Sequence, residues 1–194
     1  MKINSVCVFC ASSSTINQVY LESAYRCGEI LAEEGINIIY GGGGRGSMGY
    51  VANGALSRKS KVIGIIPKFM VDLEWAHSGL SELIIVNSMS ERKSRMLQMS
   101  DAVLVLPGGS GTLEELFETI SLKRLGMYLK PIIILNTNRY YDPLINLLES
   151  SIKENFMDEK HSGMWKIIES PEEIMEAIKS SVPWSEDAVN FATK

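Results

Sequence analysis

Short apolar runs alternate with longer amphipathic stretches along the whole chain. The runs Ser5–Phe9, Asn37–Tyr40, Val62–Ile66, Leu83–Val86, Ala102–Leu106, Ile132–Leu135 and Trp165–Ile168 are bounded by Gly, Pro, Asn or polar residues. They are too short for ordinary helices and read as strands. Helical spacing fills the gaps at Val19–Glu33, Met48–Arg58, Glu91–Met99, Leu113–Leu125, Pro143–Glu154 and Pro171–Lys179. In the first of these, Leu21, Ala24, Tyr25, Gly28, Leu31 and Ala32 form one stripe. The strands are apolar throughout rather than alternating, as expected where helices cover both faces of a parallel sheet. The pattern predicts an α/β fold: a Rossmann-like, doubly wound parallel sheet forming a single domain over residues 1–194. Its last stretch, about 181–194, is polar enough to be partly disordered.

Composition narrows the function. The net charge of −4 argues against a nucleic-acid coating protein but leaves room for a small anionic ligand at a local positive site. No apolar run reaches the ~20 residues a membrane helix requires, and the Met1-Lys2-Ile3-Asn4 start lacks a signal-peptide core, so a cytoplasmic location is expected. Three cysteines, Cys7, Cys10 and Cys27, do not describe a disulfide framework. Cys7-Val8-Phe9-Cys10 spells C-x-x-C but runs into a Ser-rich loop rather than a helix, so both thiols are expected on or beside a buried strand. His77 and His161 lie far apart, with no Cys or carboxylate at ligand spacing, so no metal site is expected.

In a doubly wound sheet, ligands sit beyond the carboxyl ends of the strands. After the second strand comes Gly41-Gly42-Gly43-Gly44-Arg45-Gly46-Ser47-Met48-Gly49. Such a run lets backbone N–H groups approach a phosphate at a helix N-terminus, or simply makes a tight turn. A dinucleotide site would need an acid at the end of the next strand, which instead reads Ile65-Ile66-Pro67-Lys68; a Walker A loop would need Lys where Ser47 stands. After the fifth strand comes Pro107-Gly108-Gly109-Ser110-Gly111-Thr112-Leu113-Glu114-Glu115. Three glycines between a buried strand and a helix make a nest of N–H donors for an anion, with Ser110 and Thr112 adding hydroxyls. A capping box with Thr112 at the N-cap and Glu115 three residues on is the structural alternative. It accounts for the carboxylate but not for the glycines. Ahead of the fifth strand, Met89-Ser90-Glu91-Arg92-Lys93-Ser94-Arg95 places cations early in a helix, against the helix dipole. A Glu91–Arg95 pair on a solvated face is one reading; neutralisation of the cradled anion by Arg92 and Lys93 is the other.

Together these residues resemble the LOG (Lonely Guy) family, phosphoribohydrolases that release cytokinin bases from riboside 5′-monophosphates. Pro107–Glu115 matches its P-G-G-x-G-T-x-x-E motif, Met89, Arg92 and Lys93 its M-x-x-R-K element, and Ile39–Gly49 resembles its glycine loop. Cys7–Ser13, Leu125–Pro131 and Asn136–Pro143 extend the likeness to about residue 180. The resemblance implies a catalytic pair, Arg92 and Glu115. It implies substrate contacts at Glu74, Lys93, Gly109, Ser110, Gly111, Thr112, Glu114 and Ser121, the last replacing a usual Thr. Gly42, Gly43 and Gly108 join them as loop residues of the anion pocket. Arg139 stands where the family has Gly in its N-x-x-G-Y-Y-D turn. The implied reaction is hydrolysis of the N-glycosidic bond of a purine or cytokinin nucleoside 5′-monophosphate, with no cofactor. Family members often carry a lysine decarboxylase label; such an enzyme needs a pyridoxal Schiff-base Lys with an acidic partner, and no such set is visible. A non-catalytic nucleotide or cofactor carrier on the same fold is the alternative, disfavoured by a carboxylate beside a phosphate seat. No nucleic-acid or membrane partner is expected. A homodimer is expected, with Met89, Met96, Met99 and Met127 near its interface and Arg95 the candidate to complete a partner's site.

Overall fold

The computed structural model describes residues 2–73 and 75–192. Its strands are β1 (Ser5–Phe9), β2 (Asn37–Tyr40), β3 (Val62–Pro67), β4 (Glu82–Val86), β5 (Ala102–Val105), β6 (Ile132–Leu135) and β7 (Lys166–Ile168). The helices are α1 (Gln18–Glu33), α2 (Gly46–Ser57), α3 (Lys68–Asp72), α4 (Met89–Gln98), α5 (Ser110–Arg124), α6 (Asp142–Lys153) and α7 (Ile174–Lys179). The strands form one sheet in the order β4-β3-β2-β1-β5-β6-β7, parallel at every pairing. The expected doubly wound parallel sheet is therefore present.

Strand periodicity builds the two layers. Successive side chains of a strand point to opposite faces. Val6, Val8 and Cys10 pack with Ala24, Leu31, Val51 and Ile178 from α1, α2 and α7. Cys7 and Phe9 pack on the other face with Met96, Leu116 and Tyr141. The C-x-x-C spacing thus puts its two thiols in opposite layers, and all three cysteines are free and buried. The chain builds outward from β1 to β4, then crosses back to lay β5 against β1. That reversal opens a crevice above the carboxyl ends of β1 and β5, where ligands of this fold class sit.

The structure departs from the sequence reading in four places. Helix α5 starts at Ser110, three residues earlier than the apolar spacing predicts, and α2 starts at Gly46. The glycines are therefore part of each helix entry. The N-cap of α5 is Gly109, with no side-chain cap, so the Thr112–Glu115 capping box does not form. Ser170–Glu173, by contrast, forms a true capping box ahead of α7. Helix α3 was not expected; it is five residues long and buries none of them, so it leaves no periodic signal. The polar segment expected to be partly disordered is packed as far as residue 192. Trp184 Nε1 donates to the Lys123 carbonyl at 2.7 Å, Arg124 Nε donates to the Ala192 carbonyl at 2.8 Å, and Ala188 and Ala192 are buried. A few anchors hold that segment, and average polarity does not register them. Among the described residues, no helix is long and apolar enough to cross a membrane.

Candidate active site

Five strand ends meet around a cleft of about 510 Å³. The turn after β1 supplies Cys10–Ser13, the β2–α2 loop supplies Gly41, Gly43, Arg45 and Met48, and the segment after β3 supplies Met70 and Trp75. Helix α4 supplies Met89 and Arg92, and the entry to α5 supplies Gly109, Ser110, Gly111, Thr112, Glu114 and Glu115.

The first turn of α5 provides positive potential without a cation. A helix leaves its first N–H groups without partners and concentrates the positive end of its dipole there. With Gly109 as an uncapped N-cap, those donors are not used by a side chain. A Cβ at Gly109 or Gly111 would meet nothing within 4 Å, so this wall is open to a ligand. One turn further in, Glu115 is buried, at 6% exposure. Burial pushes its carboxyl up to about 7; Arg92 pulls it down, Glu114 pushes it up, and Lys93 and Glu118 add smaller opposing effects.

Arg92 is buried as well, and rigidly held. Its Nε donates to the Ile65 carbonyl at 3.0 Å and its Nη2 to the Gly41 carbonyl at 2.9 Å. Its remaining nitrogen lies 4.0 Å from Glu115 Oε1. A Cβ on Gly41 would lie 1.8 Å from Arg92 Nη2, so the first glycine of the loop is there to admit the guanidinium.

Arg92, Glu115, Gly43, Gly109, Ser110, Gly111, Thr112 and Glu114 are thus brought together around one cleft. Of the other expected site residues, Lys93, Arg95, Ser121, Gly42 and Gly108 are not on its wall. Lys93 is held between Glu114 and Glu118, the latter at 2.7 Å. Burial opposes its charge, but those two carboxylates more than compensate and raise its pKa. Arg95 pairs with Glu91 at 3.0 Å. Ser121 donates to the Phe117 carbonyl of its own helix at 2.7 Å. Gly42 packs behind the loop at φ +76°, and Gly108 lies under Thr112. Glu74 lies outside the described residues. Sequence reasoning missed the Cys10–Ser13 turn, Arg45, Met70 and Trp75 as cleft walls. The first could have been found, because it follows the central strand β1; Met70 and Trp75 come with the unforeseen α3. Among the described residues, no group of three or more His, Cys, Asp or Glu is placed to hold a metal ion.

The raised pKa of Glu115 has a consequence for stability. Between about 4.5, its ordinary value, and about 7, the folded chain holds a proton that the unfolded chain has released. Stability from this group therefore falls as pH rises through that window. Thermal melts of the wild type and of Glu115→Gln from pH 4.5 to 8 should show the difference moving in favour of Gln, by up to roughly 3 kcal/mol. A pH-independent difference would contradict the burial argument.

Fold and cleft define a Rossmann-type α/β protein with an uncapped, glycine-rich helix entry and a buried carboxylate at the switch point of its sheet. A family model described as "Possible lysine decarboxylase" matches residues 48–178. A cytokinin riboside 5′-monophosphate phosphoribohydrolase of Rhodococcoides fascians is 40% identical over 79% of this chain and 78% of its own length. One from Arabidopsis thaliana is 32% identical over 97% of this chain and 89% of its own. Among solved structures, the molybdenum cofactor binding protein of Rippkaea orientalis superposes with a TM-score of 0.69 at 25% identity, covering 93% of this chain and 98% of its own. The chain belongs to the LOG family of phosphoribohydrolases.

Proposed function

We propose that this protein is an enzyme that hydrolyses the N-glycosidic bond of a purine or cytokinin nucleoside 5′-monophosphate, giving a free base and ribose 5-phosphate. The observation that carries this reading is Glu115: a buried carboxyl with a pKa near 7, one turn inside an uncapped helix N-terminus, in the same cleft. From Ser110 to Glu115 the helix rises roughly 7.5 Å, on the scale of a sugar phosphate. The 5′-phosphate sits on the first turn of α5, and Glu115 faces C1′. As the bond from C1′ to the base nitrogen breaks, its electron pair leaves with the base and the sugar becomes oxocarbenium-like. The carboxylate stabilises that cation and takes a proton from the water that attacks C1′; the departing base nitrogen takes up a proton from solvent, and Glu115 then returns its own proton to solvent. Arg92 opposes the burial effect and keeps part of the Glu115 population ionised at neutral pH.

A Schiff-base decarboxylase fits poorly, since no lysine lines the cleft among the described residues. A carrier would gain nothing from Glu115, whose charge repels a bound phosphate. Incubating the purified protein with AMP and with isopentenyladenosine monophosphate, and separating products by HPLC, tests the proposal; failure to release either base overturns it.

We assign the chain to the cytoplasm, where its three free, buried thiols suit a reducing compartment. We also propose a homodimer through the α4–α5 side of the sheet. Met99, Phe117, Leu125 and Met127, in or at the ends of α4 and α5, are all exposed, Met127 at 71%. Exposed apolar side chains in such number mark an interaction surface. The N-terminal turns of both helices line the cleft, and Arg95 of α4 is the side chain to test for reaching a partner's site. Light scattering at micromolar concentration should give a dimer; a single-chain particle with full activity refutes it.

A further inference from the structure

The turn after β6 contributes nothing to the cleft wall, yet it reaches the anion seat from behind. Asn136, 2% exposed, organises it. Its side-chain oxygen accepts from the Tyr141 N–H at 2.7 Å, and its amide donates to Asp142 at 2.9 Å. Asn138 and Arg139 adopt left-handed φ of 53° and 58°, which residues other than glycine hold only where the surroundings over-determine them. The turn thereby delivers two phenols to the β5–α5 loop. Tyr141 donates to the Leu106 carbonyl and Tyr140 to the Gly108 carbonyl, each at 2.8 Å. The Tyr140 ring is held edge-on between Tyr20 and Tyr141, at 5.7 and 5.0 Å.

These two hydrogen bonds differ in consequence. A trans peptide points its C=O and the following N–H in opposite directions. Fixing the Gly108 carbonyl toward Tyr140 therefore aims the Gly109 N–H the other way, and Gly109 lines the cleft. That peptide joins two glycines, so without the phenol both orientations are open to it. The Leu106 carbonyl belongs to the peptide leading into Pro107, which has no N–H to aim. Tyr141 therefore anchors the loop without setting a donor.

We infer that Tyr140 is a positioning residue for phosphate: its hydroxyl holds the Gly108–Gly109 peptide so that the Gly109 N–H joins the donors of the first turn of α5. The inference rests on the proposed nucleotide function, but its test separates the two. Tyr140→Phe should weaken ribose 5-phosphate binding about five- to tenfold, the usual scale for one hydrogen bond. It should raise KM for AMP by the same factor, with kcat within about twofold. Adenine binding, which uses no phosphate donor, should not change. Tyr141→Phe should lower Tm at least as much, yet leave ribose 5-phosphate affinity within about twofold. Equal affinity in wild type and Tyr140→Phe, or equal weakening in both variants, overturns the inference. So does a Gly109 amide resonance that stays in place when inorganic phosphate is added to the wild type, a readout that needs no variant to fold. Wild-type protein that binds ribose 5-phosphate but releases no base from AMP would instead sink the hydrolase reading, and binding alone would then judge Tyr140.

Discussion

Glu115→Gln is expected to lower kcat at least a hundredfold while nucleotide binding stays as tight or tightens. Glutamine keeps the size and hydrogen-bonding reach of the side chain and removes only its charge. In the proposed reaction that charge faces a sugar that becomes cationic in the transition state, in a pocket where the carboxyl is 6% exposed. Electrostatic groups preorganised in such surroundings are each worth about 10²–10³ in rate. The ground state responds in the opposite sense, because an anionic carboxylate near a bound phosphate is repelled by it. Steady-state kinetics with AMP decide the matter. A variant keeping more than about a tenth of wild-type kcat, a loss below ~1.4 kcal/mol, would remove Glu115 from the assigned role. The pH profile gives a second check. With a carboxyl pushed up to about 7, wild-type kcat/KM should rise through that pH as the group ionises. The glutamine variant should lack that limb.

The second large effect concerns the substrate. Removing the 5′-phosphate should reduce kcat/KM by about a thousandfold or more, so that AMP is cleaved and adenosine is not. Binding energy from a remote, unreactive group serves to hold the reacting bond against the catalytic residue. In the proposed binding mode the remote group is the phosphate on the first turn of α5, and Glu115 lies one turn away on the same rigid element. A nucleoside lacking the phosphate has nothing to set that distance. Comparable kcat/KM for AMP and adenosine would return the glycine-rich entry to a packing role.

Most of the scaffold was legible because each strand is a continuous apolar run and each long helix carries a stripe. Where the reading slipped, the cause was local. The start of α5 was placed at Leu113 because apolar spacing begins there. The helix begins at Ser110 because its first turn is polar and glycine-rich, as a wall facing a ligand should be. Arg92 and Lys93 are adjacent in sequence and looked equivalent, but their helix positions send them to different surroundings. Arg92 goes under the β2 and β3 strand ends, and Lys93 goes across to the carboxylates of α5. Methionine crowding at Met89, Met96, Met99 and Met127 was read as a sign of an interface; Met89 lines the cleft and Met96 is buried in the core, while Met99 and Met127 are exposed. Composition does not say which apolar surface a flexible side chain will cover. Tyr140 was visible only as part of a motif, because its effect passes through a backbone carbonyl 32 positions away.

The uncapped entry to α5 bears on how this lineage can change over time. Its donors are main-chain amides, and a substitution replaces a side chain without deleting an amide, proline excepted. Inheritance of the proposed anion seat therefore asks little of residue identity beyond the glycines that keep the wall open. The opposite side of the cleft is built from Met48, Ile66, Met70, Trp75 and Met89, all ordinary targets of mutation. Drift can reshape what is attached to the phosphate while the phosphate itself stays anchored. Descendants of one ancestral sheet could in this way come to accept different bases without first losing their grip on the nucleotide.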